Sequence, residues 1–180
     1  QKASWLYEYT LANGIQMEGG FTYNNLNQET AGYVAGTKAY EDSNRRDTNP
    51  NPEAYRDSQS TRAWTRFTME SGDWEITATP YFREVNMSFV QHYLPGQPIE
   101  DNEHRSIGVQ IAAFRELSNN STFSWGLDAE STEGAYKENQ PNPTTGALFT
   151  RRTVPQGMHY DYEVEANQFA VFANYETPLT

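Results

Sequence analysis

The chain is 180 residues long, with a net charge of −11 and a mean hydropathy of −0.85. Only 36% of it is hydrophobic, yet 14% is aromatic, with 12 Tyr, 9 Phe, 4 Trp and no Cys. These values exclude a disulfide framework and thiolate chemistry. They argue against a nucleic-acid partner and leave few aliphatic residues for an ordinary soluble core. No apolar run approaches the roughly 18–20 residues of a membrane helix, so the chain is soluble or crosses a membrane as strands.

In chain order, Trp5, Tyr7, Tyr9 and Leu11 alternate with Leu6, Glu8 and Thr10, the period-two signature of a strand. Asn13-Gly14 is a strong hairpin-turn signal. Ile15, Met17, Gly19, Phe21 and Tyr23 then alternate with Gln16, Glu18, Gly20 and Thr22. Gly19-Gly20 within this strand reads as close packing or a bulge, not as a phosphate loop. From Asn25 to about Ser58 the pattern stops, and the composition predicts a long polar loop around Asn49-Pro50-Asn51-Pro52. Thr61–Met69 is a strand with Ala63, Thr65, Phe67 and Met69 opposite Arg62, Trp64 and Arg66. After a turn at Glu70-Ser71-Gly72-Asp73, Trp74, Ile76, Ala78 and Phe82 share a face, and Pro80 predicts a bulge or a strained edge. Arg83–Glu103 reads as a second loop, more apolar than the first.

Asn102–Glu130 is the clearest hairpin. Ile107, Val109, Ile111 and Ala113 alternate with Gly108, Gln110 and Ala112. The turn is Ser118-Asn119-Asn120-Ser121. On the return, Phe123, Trp125, Leu127 and Ala129 oppose Ser124, Gly126, Asp128 and Glu130. Ser131–Met158 reads as a third loop. His159–Tyr175 is a final strand, acidic first (Asp161, Glu163, Glu165) and apolar later (Phe169, Val171, Ala173, Tyr175). A phase slip is expected near Asn167-Gln168.

The expectation is an all-β chain, an antiparallel meander of about seven strands in which short turns alternate with long loops. That is the layout of part of a transmembrane β-barrel, with short periplasmic turns and long extracellular loops. Lipid offers the backbone no hydrogen-bond partners, so such a sheet must close. Trp5, Trp74, Trp125 and Tyr175 lie near the short turns, where an interfacial aromatic girdle belongs. The opposite face would line a wet lumen or touch a plug. The competing expectations are a soluble antiparallel β-sandwich, such as a carbohydrate-binding module, and a passive porin. Gln1 is not an initiator Met, and the last residues read as a turn, so the chain reads as a piece of something longer.

Two segments carry a family likeness. SGDWEITATPYFREVNMSFVQHYLPGQPIEDNEHRSIGVQ (Ser71–Gln110) and GMHYDYEVEANQFAVFANYETPLT (Gly157–Thr180) resemble barrel segments of TonB-dependent outer-membrane receptors. The resemblance implies a barrel of about 22 strands filled by an N-terminal plug. It also implies coupling to an energy-transducing complex through a TonB box, and import of a ferric siderophore or haem-type iron chelate. The implied location is the outer membrane of a Gram-negative bacterium. Neither plug nor TonB box is visible here, so residues 1–180 would be an internal barrel segment. The expected partners are a small-molecule ligand, the TonB complex and the lipid bilayer.

No nucleophile elbow, Walker loop, HExxH or EF-hand pattern occurs, and no enzyme, cofactor or metal is expected. His92, His104 and His159 fall at loops or loop–strand junctions, with no spacing that defines a metal site. Asn119 and Asn120 fit glycosylation sequons but are read as turn chemistry. The expected ligand contacts lie at the outer mouth: His92, Tyr93, Arg151, Arg152, His159 and Tyr160, with Tyr33, Tyr40 and Tyr55 at the same mouth. Tyr and Arg suit a bulky anionic chelate. The alternative is that these side chains pack the loops on one another.

Overall fold

The computed structural model describes residues 1–117 and 120–178. Among them run seven strands: β1 Lys2–Thr10, β2 Gln16–Glu29, β3 Tyr55–Ser71, β4 Trp74–Val90, β5 Ile99–Glu116, β6 Thr122–Gln140 and β7 Gly157–Glu176. Each pairs antiparallel with the next in one sheet of order β1-β2-β3-β4-β5-β6-β7. The helical pieces are a 3₁₀ turn, Ala39–Glu41, and a short helix, α1, Leu148–Thr153. There is one layer, without crossovers, so the two-layer sandwich expectation is corrected. The sheet is open, with β1 and β7 at its edges.

The ladders put the predicted faces together. Trp5 pairs with Phe21, Phe21 with Ala63, Ala63 with Phe82, and Phe82 with Ile107. Val109 pairs with Ala129, Ile111 with Leu127, Leu127 with Val171, and Phe123 with Tyr175. Residues in direct register share a face, so these side chains form one apolar face, which also carries Trp74 and Trp125. Gln110 pairs with Asp128, and Glu18 with Arg66, on the other, polar face. Gly19 and Gly20 serve close packing. A Cβ on Gly19 would meet the Tyr7 ring at 2.4 Å, and one on Gly20 would meet Leu6 and Trp64 at 2.9 Å.

Three boundaries differ from the sequence expectations. The loops shrink to residues 30–54, 91–98 and 141–156, because the strands run on through segments that read as loop. Asn86 and Ser88, or Thr132 and Gly134, offer no contrast of polarity, yet their backbones stay in the ladder. The phase slip near Asn167-Gln168 does not occur. Glu165, Asn167 and Phe169 pair in unbroken register with Glu133, Ser131 and Ala129. The change from acidic to apolar is a change of level along one face. Pro80 makes neither bulge nor edge. It lies inside central β4, paired with Val109, and the β3–β4 ladder has a gap between its Trp64–Tyr81 and Phe67–Ala78 pairs. A proline has no N–H to give there. Of the turn before β6, Ser118 and Asn119 lie outside the described residues, and Asn120 has a positive φ of 58°.

Candidate functional site

On the polar face, at the loop end of β4 to β7, the side chains converge. The β6–β7 register shifts at Glu138/Asn139: Asn139 pairs with Met158 and Glu138 with Tyr160, leaving His159 as the extra residue. Such bulges re-aim a side chain. Here His159 Nδ1 lies 2.8 Å from Glu138 Oε1, and Nε2 lies 2.6 Å from the Pro155 carbonyl. Both partners are acceptors, an arrangement that favours the doubly protonated ring. The Pro155 carbonyl, then the Glu138 carboxylate, raise its pKa against the opposing effect of burial.

Glu138 is buried and accepts from Gln91 Nε2 at 3.1 Å and from the Tyr136 hydroxyl at 3.2 Å. Gln91 Nε2 also donates to Glu100 Oε2 at 2.6 Å, and Asn102 Nδ2 donates to Glu100 Oε1 at 2.8 Å. Burial, with Glu100 and Glu138 adding to it, raises the Tyr136 pKa and keeps the ring a neutral phenol. The Tyr136 ring stacks on Tyr162, with centroids 5.3 Å apart at 24°, and meets Tyr160 edge-on at 6.0 Å and 64°. Tyr160 and Tyr162 keep 55% and 50% of their surface exposed.

The loops beside this cluster are fastened to one another. Gln140 is fully buried and donates to the Asn142 carbonyl at 2.7 Å and to Thr144 Oγ1 at 2.8 Å. A Cβ on Gly96, in loop 91–98, would meet Gln140 Nε2 at 2.0 Å. Only glycine permits that approach, and its φ of 78° suits glycine as well.

The six expected contacts divide. His159 and Tyr160 enter the cluster. His92 and Tyr93 lie beside it on loop 91–98, their rings 5.6 Å apart and nearly perpendicular, and it is the adjacent Gln91 that reaches in. Arg151 and Arg152 lie exposed on α1 and do not join it. Of the other three expected at the mouth, Tyr33 and Tyr40 are exposed in loop 30–54, while Tyr55 opens β3, its hydroxyl 3.3 Å from Ser88 Oγ. His104 is not at a junction but inside β5, its Nε2 2.8 Å from Ser106 Oγ. Sequence reasoning missed Gln91, Glu100, Asn102, Tyr136, Glu138 and Tyr162. The available signal was Tyr136, Glu138 and Gln140 at spacing two, facing Tyr160 and Tyr162 at the same spacing.

Lower on the polar face a second network ties three strands. Glu130 accepts from Tyr81, from Arg83 at 2.5 Å and from Thr132 at 2.8 Å. Thr132 continues to Ser106 at 2.8 Å. Arg66 pairs with Glu18 at 2.9 Å. This wall is polar and hydrogen-bonded at the level where the other face is apolar.

Compared with family models, curated proteins and solved structures, the chain finds no match. Its function has to be read from its own geometry.

Proposed function

We propose that this chain is a sector of the wall of an outer-membrane β-barrel that receives and imports a small-molecule ligand. The observation that carries this reading is the division of one face by level. Near the short turns that face is apolar and open: Ile107 is 66% exposed and Val171 72%. Toward the loops the same face turns to Glu84, Glu103, Glu133 and Glu165. The apolar part spans about nine residues of each strand, roughly 30 Å along the chain, or about 21 Å of height at a 45° tilt. That suits the outward apolar band of such barrels, about 25 Å tall. In a soluble protein such an apolar face would lie under a second layer, and no second layer covers it among the described residues.

Energy coupling, a plug and a TonB complex rest on the resemblance alone, and a plug and TonB box encoded upstream of Gln1 are the expected finding. The proposed role is receptor and transporter, not catalyst. The resemblance brings a ferric siderophore or haem-type chelate with it as ligand; Glu100 and Glu138 in the loop-end cluster weigh against a strongly anionic one.

The test is directional. Arg at Val109 or Leu127, on the apolar face, should cost up to ~2–4 kcal/mol of folding free energy in lipid vesicles, less near the interface. Arg at Gln110 or Asp128, one residue away on the polar face, should cost about 0–1 kcal/mol. Equal costs on the two faces would remove the membrane assignment.

A further inference from the structure

The apolar face is not even. On the loop side of its apolar section it holds a groove of about 520 Å³. Trp5, Phe21, Phe82 and Ile107 stand around it, while the small side chains of Ala63 and Pro80 leave its floor low. Trp5, Phe21, Ala63, Phe82 and Ile107 follow one another in register, so the groove crosses β1 to β5. A further strand paired to β1 would widen this face and not cover it. No charged residue lines the groove. The Tyr7 ring lies over Gly19, where a Cβ would meet it, and its hydroxyl is 2.5 Å from Thr65 Oγ1, so those two hydroxyls are spent on each other.

The groove ends where the face turns from apolar to charged. The next residues toward the loops on β4, β5 and β6 are Glu84, Arg105 and Glu133, paired in register. Arg105 folds down over the rim, its guanidinium carbon 5.7 Å from the centre of the Phe82 ring. An arginine at such a border lays its stem on apolar surface and keeps its head on the polar side. Among the described residues Arg105 makes no ion pair, although the two glutamates flank it. An uncharged groove with paired hydroxyls offers a polar ligand nothing and suits an alkyl chain. The guanidinium above it matches a phosphate, and the flanking carboxylates match an ammonium.

We propose that this groove seats one acyl chain of a zwitterionic phospholipid, whose phosphate meets Arg105 and whose ammonium meets Glu84 and Glu133. The site rests on the membrane reading above and adds a lipid partner to it.

The experiment uses the full-length protein that carries this chain, folded in detergent, with palmitoyl-oleoyl phosphatidylethanolamine added and retained lipid counted by native mass spectrometry. Insertion into vesicles is followed in parallel. One lipid should stay bound. Ala63→Phe fills the floor and should weaken retention about tenfold, as the loss of roughly two buried methylenes would. Phe82→Ala removes a wall and should weaken retention as well, and it carries the test if the filled variant does not fold. Val171→Phe, on the same face outside the groove, should change nothing. Arg105→Gln should weaken retention, and phosphatidylglycerol, which lacks the ammonium, should be held less well. Equal retention of the two lipids, or no effect of Arg105→Gln, would overturn the headgroup contacts. An inserted, folded protein that retains no discrete lipid, or holds it equally well with the groove filled or its wall removed, would overturn the site and leave the membrane reading standing. A protein that does not insert into bilayers at all would remove the membrane reading, and the site with it.

Discussion

His159 shows how much one residue of register decides. The β6–β7 ladder slips by one position, and that slip puts an imidazole between a buried carboxylate and a carbonyl of loop 141–156. The residue lies at the loop end of β7, away from its apolar section. Its pKa is raised above the ordinary 6.5, chiefly by the Pro155 carbonyl and Glu138. A raised histidine stabilises the fold fully below its unfolded value, and the contribution is lost as pH rises through the folded value. The fastening of loop 141–156 should therefore weaken on the alkaline side of 6.5, not on the acid side. An NMR titration of His159 should have its midpoint above 6.5, and Glu138→Gln should lower it. A midpoint at or below 6.5 would mean that the ring is not held as an imidazolium.

At the scale of elements, the strands are longer than a membrane needs. β3 to β7 run for 17 to 20 residues, against about 9–11 for a tilted crossing. The surplus lies toward the loops, where β7 carries Asp161, Glu163 and Glu165 on the face that later carries Phe169 and Val171. A continuous ladder thus joins an apolar section to an acidic one, the lipid-facing and water-facing parts of the strand under the proposed barrel reading. Nitroxides placed singly on that face of β7 should report the border. At Val171 the label should collide with dissolved oxygen from the bilayer, and at Glu163 with a water-soluble nickel chelate. The same profile at both sites would mean that β7 does not cross a membrane boundary between them. Pro80 belongs to this scale too: a residue without an N–H sits in a central strand, and the cost is confined to a local gap in one ladder.

The whole molecule is a sheet without a closed core. Its buried apolar side chains among the described residues are Ala39, Ala54 and Ala113, all small. Phe169, Val171, Ile107, Leu6 and Trp5 are each more than 60% exposed. Both edge strands present unpaired N–H and C=O groups, which template association with other strands. An apolar band of this extent exceeds what soluble monomers leave open. Residues 1–180 by themselves should therefore not run as a monomer on size exclusion without detergent, and should need detergent or further strands to stay dispersed. A sharp monomer peak with cooperative thermal unfolding would contradict the barrel-wall reading.

Local chemistry sufficed for the number of strands, their order and the contents of each face near the short turns. Asn13-Gly14 and Gly72-Asp73 reverse the chain, and Ile107–Ala113 against Phe123–Ala129 alternates without ambiguity, because there one face differs sharply from the other. Toward the loops that contrast disappears: Thr132, Gly134 and Tyr136 alternate with Glu133 and Ala135, and nothing in the pattern distinguishes strand from loop. What holds those residues in the sheet is hydrogen bonding to β5 and β7, which depends on partners about 30 residues away and leaves no local mark. The cluster has the same origin. Gln91, Glu100, Asn102, Glu138 and His159 come from three strands and a loop, and a one-residue bulge brings the last of them in. Only the tertiary pairing of β4 through β7 decided that these side chains meet, while Arg151 and Arg152 stand apart.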